Sequence, residues 1–139
     1  MSGRTLSIER HNYGEWTKGR FSEVVTSTGP GKLIFLAGVG AEDEVTGEIL
    51  HKGDFNAQCR LIYSKIQNVL QKNGATLADV VKQVTYVTDV RYQRDAAECR
   101  SAAYGNLPRP AHTFLTVSDL AWPGMLVEID IIAIAPVPE

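Results

Sequence analysis

Two carboxylates, Glu128 and Asp130, sit inside the run Leu126-Val-Glu-Ile-Asp-Ile-Ile-Ala133. Six of these eight residues are apolar, several are β-branched, and Pro123-Gly124 and Pro136 bound the run, so it reads as a strand meant for burial. Successive strand side chains point to opposite faces, which puts Glu128 and Asp130 on the same face. A carboxylate among apolar neighbours is desolvated, which raises its pKa and suits it to moving protons. Glu128 is therefore the first candidate for acid–base chemistry. The same pattern also fits a strand carboxylate that merely pairs with a Lys or Arg, because structural ion pairs perturb pKa values too.

The second candidate lies in Arg109-Pro-Ala-His-Thr-Phe114. General acid–base catalysis of a hydrolysis needs one group to activate water and a donor to protonate the leaving group. Glu128 can do the first and His112, as an imidazolium, the second, provided that their strands adjoin. The alternative is that His112 is a satisfied histidine bonded to a backbone carbonyl. His11 and His51 stand in polar surroundings and read as surface residues. Three histidines without a shared short spacing give no metal site, and neither a phosphate-binding glycine loop nor a nucleophile elbow is present. Phe21, Phe114 and Trp122 are candidates for the wall of an apolar pocket. Trp122 is equally suited to stapling the loop before the last strand.

These residues need elements to hold them. Phe21 to Thr26 has weak strand character, and Ser27-Thr-Gly-Pro-Gly31 is a turn cluster. Lys32 to Val39 reads as a mostly buried strand in which Gly38 marks a bulge or a close backbone approach. Ala41 to Glu48 is a polar loop with a turn at Thr46-Gly47. A helix runs from an Asp54 N-cap to a stop at Gly74, with Phe55, Ile62, Ile66, Val69 and Leu70 as its apolar stripe. Val80 to Thr88 is rich in β-branched residues and reads as a strand. A second helix spans Tyr92 to Tyr104, with Ala96, Cys99 and Ala103 inward, and strands cover His112 to Val117 and Leu126 to Ala135. This order predicts an α+β layer with two helices on one face of a mixed sheet. Two helices cover one side only, so the apolar second face predicts a homo-oligomer.

At 139 residues the chain is one domain, 1–139, with 1–20 as an N-terminal extension or first-strand region. Fourteen basic against sixteen acidic side chains give a formal charge of -2 without a block of either sign, which argues against a dedicated nucleic-acid surface. The N-terminus shows no apolar signal segment and no run is long enough to span a bilayer, so a cytoplasmic protein is expected. Cys59 and Cys99 have neither metal-like nor redox-like spacing and read as small buried hydrophobes or inert thiols.

The ordered set Thr46-Gly-Glu48, Gln58, Asp79-Val-Val-Lys82, Pro110-Ala-His-Thr113 and Leu126-Val-Glu-Ile129 resembles the Rid family of reactive-intermediate enamine/imine deaminases, also called YjgF or L-PSP-type proteins. The resemblance runs from about Phe21 to Ala135. It implies a chorismate-mutase-like α+β fold, a homotrimer with clefts between subunits, and hydrolysis of enamines or imines to ketones and ammonia without metal or cofactor. It also implies that Phe21, Ala37, Gly38, Phe114 and Trp122 border the small-molecule site, with Glu128 as its retained glutamate. The departures are one-directional. The arginine that would clamp a substrate carboxylate is His112, a tyrosine is Phe21, a small or cysteine position is Phe114, and a Ser-Gly-Gln is Ala37-Gly38-Val39. The loop Ala121 to Gly124 is one residue longer than usual. An imidazole is mostly neutral at pH 7 and offers one donor at a time, so losing the fork removes hydrogen bonds worth roughly 1.5–3 kcal/mol each to a charged ligand. Arg109 lies three residues earlier, about 10 Å away along a strand and on the other face. The expected activity is hydrolysis of an enamine, imine or related metabolite that is larger and less acidic. The alternatives are a ligand-binding trimer without catalysis and, against the charge balance, a ribonuclease or translation inhibitor.

Overall fold

The computed structural model of the chain describes residues 5–138. Its elements are β1 (Ser7–His11), β2 (Val24–Thr28), β3 (Lys32–Phe35), α1 (Phe55–Lys72), β4 (Val80–Val87), α2 (Gln93–Tyr104), β5 (Ala111–Thr116) and β6 (Val127–Ala135). β1 and β2 form an antiparallel hairpin, and the other strands form one sheet in the order β3-β6-β4-β5. β4 and β5 are parallel, joined through α2, while β6 runs antiparallel to both of its neighbours. The hairpin docks on the start of β5, where Ser22 N donates to Pro110 O at 3.0 Å and Ser22 Oγ to Arg109 O at 2.7 Å.

α1 forms as its caps and stripe predict. Asp54 accepts from Ala57 N at 3.0 Å, and Gly74 turns the chain away at φ 78°. Ile62, Ile66 and Leu70 are fully enclosed against Val127, Ile129 and Ile131 of β6. Each such side chain contributes roughly 1.5–3 kcal/mol by leaving water. Val69, at the stripe's margin, stays exposed. Gln58 completes the stripe instead, although it is polar. Its Nε2 donates to Leu50 O and Gly124 O at 3.1 and 2.8 Å, and its Oε1 accepts from Leu126 N at 2.9 Å. That side chain ties the loop before α1 to the loop before β6.

Two expectations need correction. Lys32 to Val39 is not a mostly buried strand: β3 ends at Phe35, only Ile34 is fully buried, and Leu33 and Phe35 face outward. β3 is the edge of the sheet, and its face opposite the helices, carrying Leu33 and Phe35, has no covering layer. Cys59 and Cys99 are not thiols, because they form a disulfide that ties α1 to α2. Spacing of 40 residues concealed this, since the pairing arises only when the two helices pack side by side.

The phase of β4 is set by a bulge between Val80 and Lys82. One extra residue flips the alternation downstream. Val80, Gln83, Thr85 and Val87 consequently face the helices, while Lys82, Val84 and Tyr86 face the open side. The helix side is thus apolar along β6 and at Val80 and Val87, with Gln83 and Thr85 forming a polar stretch in the middle of β4. Glu128, Asp130, Ile132 and Ile134 alternate outward from β6 onto the open face.

Candidate functional site

On the open face, Glu128 stands beside Tyr86 in the register and Asp130 beside Val84. Tyr86 donates its hydroxyl to Asp130 Oδ2 at 3.0 Å, which occupies Asp130 and raises the tyrosine's pKa. Glu128 has no side-chain hydrogen bond among the described residues. Burial pushes its pKa up, and the neighbouring Asp130 and Glu42 push it the same way. The chain segment after β3 comes directly against it. A Cβ at Gly38 would overlap the Glu128 carboxylate and lie 3.0 Å from Asp130 Oδ1, so a larger residue there would push the Glu128 side chain aside. Gly38 is the close backbone approach that its place in the sequence suggested.

Ala37, Gly38 and Trp122 line a groove of ≈ 1010 Å³ together with Leu33, Phe35 and Lys65. Trp122 is 63% and Phe35 69% exposed, so both offer free aromatic surface there. Lys65 lines the groove too, donating to Gly40 O and Glu42 O at 2.7 and 2.9 Å.

His112, Phe114 and Phe21 form a separate cluster. His112 is paired in register with Gln83, and Phe114 with Thr85, on the helix side of the sheet. His112 Nε2 lies 3.0 Å from Thr85 Oγ1, and Nδ1 lies 3.2 Å from Arg100 Nη1. The polar chain continues inward: Gln83 donates to Thr85 Oγ1 and to the Tyr63 hydroxyl, and accepts from the Tyr104 hydroxyl. Phe21 leans on the imidazole with ring centroids 6.5 Å apart. Burial, and then the nearby Arg100 and Lys82 charges, lower the His112 pKa to about 3.

This placement overturns the Glu128–His112 acid–base pair within one chain. β4 lies between their strands, and the two side chains leave opposite faces of the sheet. His112 is also neutral at physiological pH, so it is no imidazolium donor. Arg109 does not replace the missing guanidinium either, since it folds back over the Tyr104 ring at 5.6 Å and donates to Gly105 O. The cation beside His112 is Arg100, which the sequence reading passed over. Its position four residues after the inward Ala96 was the available signal, because that spacing puts it on the buried side of α2. Gln83 and Thr85 were hidden by the bulge. Tyr86 was legible as Glu128's potential neighbour only once the register was known. No cluster of metal-ligating side chains occurs among the described residues.

Residues 15–135 match the family described as endoribonuclease L-PSP. A RutC family protein of Pyrococcus abyssi is 36% identical over 103 residues, covering 74% of this chain and 79% of its own. The RutC family protein YjgH of Escherichia coli is 28% identical over 98% of both chains. Among solved structures, YyfB of Yersinia pestis, from the conserved Rid protein family, superposes with a TM-score of 0.78 at 30% identity, covering 92% of this chain and 97% of its own. With the family match running over residues 15–135 and the fold of YyfB covering 92% of the chain, one assignment follows: the chain belongs to the Rid (YjgF, RutC or L-PSP) family.

Proposed function

We propose that this protein is a divergent Rid-family hydrolase that acts on an enamine, an imine or a related small metabolite, with Glu128 as its acid–base group. The observation that carries this reading is Glu128 itself: unpaired, raised in pKa by burial, and held against the Gly38 backbone at the margin of an aromatic-walled groove. As a carboxylate, Glu128 takes a proton from water as the oxygen adds to the C=N carbon. Glu128 returns that proton to the nitrogen to give the carbinolamine, then takes the carbinolamine's hydroxyl proton and delivers it to the nitrogen as the C–N bond breaks, so that a ketone and ammonia leave. One carboxylate serves both steps, so His112 is not needed as a donor. Asp130, already bonded to Tyr86, orients the neighbourhood without moving a proton.

The site is completed, in this reading, by a homotrimer. Leu33, Phe35 and Leu115 lie exposed on the uncovered face, and burying them against a neighbour removes apolar surface from water. His112, Phe114 and Phe21 can meet Glu128 only across such a seam, because one chain keeps them on opposite sides of its sheet. No helix among the described residues is long and apolar enough to cross a membrane, and a cytoplasmic location completes the reading.

The test is turnover of imines generated in situ. Glu128→Gln keeps the shape and lowers the rate by roughly 10²–10⁴-fold, while Asp130→Asn retains most of it. Full turnover by Glu128→Gln would leave the carboxylate a structural role. A second reading, a ligand-binding trimer without catalysis, is favoured by the neutral, fully engaged His112, and predicts that Glu128→Gln changes affinity alone. A ribonuclease reading is disfavoured because Glu42, Glu128 and Asp130 together repel a phosphate backbone.

A further inference from the structure

The two ring nitrogens of His112 face Thr85 Oγ1 of β4 and Arg100 Nη1 of α2, and Phe21 lies against the ring. Lys82 of β4 adds a second positive charge; behind Thr85 stands Gln83 with the Tyr63 and Tyr104 hydroxyls, Arg109 adds its charge near Arg100, and no carboxylate stands among these groups. Arginine has five N–H donors and no acceptor. A hydrogen bond between Arg100 Nη1 and His112 Nδ1 at 3.2 Å therefore requires that Nδ1 carry no proton. The ring proton must then sit on Nε2, where Thr85 Oγ1 accepts it at 3.0 Å. Thr85 Oγ1 also accepts from Gln83 Nε2, so donors converge on it from both ends of the chain. The other tautomer, and the imidazolium, each set an N–H of His112 against an N–H of Arg100.

We propose that Arg100 is the positioning residue for His112: it locks the imidazole as the neutral Nε2–H tautomer, so that the positive charge of this corner resides on α2 and not on β5. Arg100 keeps its own Nε closed to solvent and without an acceptor. Leaving a buried donor unpaired is unfavourable, and the bond to His112 is what the guanidinium gains there. Arg100 thereby decides what a ligand meets at position 112: a flat neutral ring beside Phe21, with both nitrogens engaged. This rests on the proposed reading only in taking His112 as part of the ligand site. The lock itself can be tested without any substrate.

Long-range proton–nitrogen NMR of the full-length protein labelled at histidine reads the tautomer directly. In the wild type, His112 should show the Nε2–H pattern from pH 8 to pH 5 without titrating. Arg100→Met preserves length and removes the donor and the charge. It should let the ring mix tautomers and should raise its pKa by at least one unit, since the like charge is gone and Nδ1 is free to protonate (an order-of-magnitude expectation for a neighbouring charge). Arg100→Lys keeps a donor-only cation and should retain the low-pH resistance to protonation. An Nδ1–H wild-type ring, a wild-type His112 that titrates near 6.5, or an Arg100→Met spectrum matching the wild type would each overturn the proposal. The wild-type tautomer decides the matter even where a variant folds poorly. Loss of turnover in Glu128→Gln has no bearing on it, so the two readings fail separately.

Discussion

Reducing the Cys59–Cys99 bond should weaken the fold by about 4 kcal/mol while leaving its contacts in place. The bond closes a loop with a sequence separation of 40. In the chain-entropy description, a loop of this size removes about 13 cal/mol/K from the unfolded ensemble, which at 25 °C is about 4 kcal/mol of stability. Cys59 is 1% exposed and sits in the core with Ile62, so its thiol stays packed after reduction, and the loss arises in the unfolded state. Urea unfolding at one fixed protein concentration, with and without reductant, is the assay. At a slope of about 2 kcal/mol/M the midpoint should fall by about 2 M, and the thermal midpoint by about 10–15 °C. The slope itself should rise, because the freed chain exposes more surface on unfolding. A midpoint shift under about 0.5 M, or two reactive thiols in the unreduced unfolded protein, would refute the reasoning. The result bears on residence too, since disulfides persist in oxidising compartments and are rare where thiols are kept reduced. In a cytoplasm this bond would make the protein's stability follow the thiol poise.

Three further outcomes follow from the same geometry. Gln58→Leu leaves Leu126 N and the carbonyls of Leu50 and Gly124 without partners, so it should cost about 2–4 kcal/mol in denaturant unfolding; a neutral effect would mean that water replaces the side chain. His112 has a depressed pKa, so its contribution is complete above its unfolded value near 6.5 and is lost as pH falls toward about 3. Stability should therefore drop by up to about 1.4 kcal/mol per pH unit between pH 6 and 5 in the wild type, and this increment should vanish in His112→Gln. Gly38→Ala should cost less than about 1 kcal/mol, because the end of the Glu128 side chain can swing aside. It should nonetheless depress turnover or ligand affinity as strongly as Glu128→Gln does, and an active Gly38→Ala protein would detach Gly38 from the site.

Much of the architecture is local physics and was legible in the residues. Asp54 and Gly74 mark the ends of α1 because caps act over three or four residues. The two-residue period of a strand puts Glu128 and Asp130 together on one face, whatever the partners of β6 are. Gly38 announced a bulge or a close approach, of which the structure has the latter, and the ordered motifs carried the family. What neighbours what across the sheet was another matter. β4 slips between the strands of His112 and Glu128, and its bulge turns Gln83 and Thr85 inward, so the expected pair is separated and a buried polar chain takes its place. Arg100 and the Cys59–Cys99 bond likewise depend on how α2 lies against α1 and β5. Such pairings are set by the packing of segments distant in sequence, and neither residue spacing nor intrinsic propensity encodes them, because several packings satisfy the same local pattern and only the assembled core selects one.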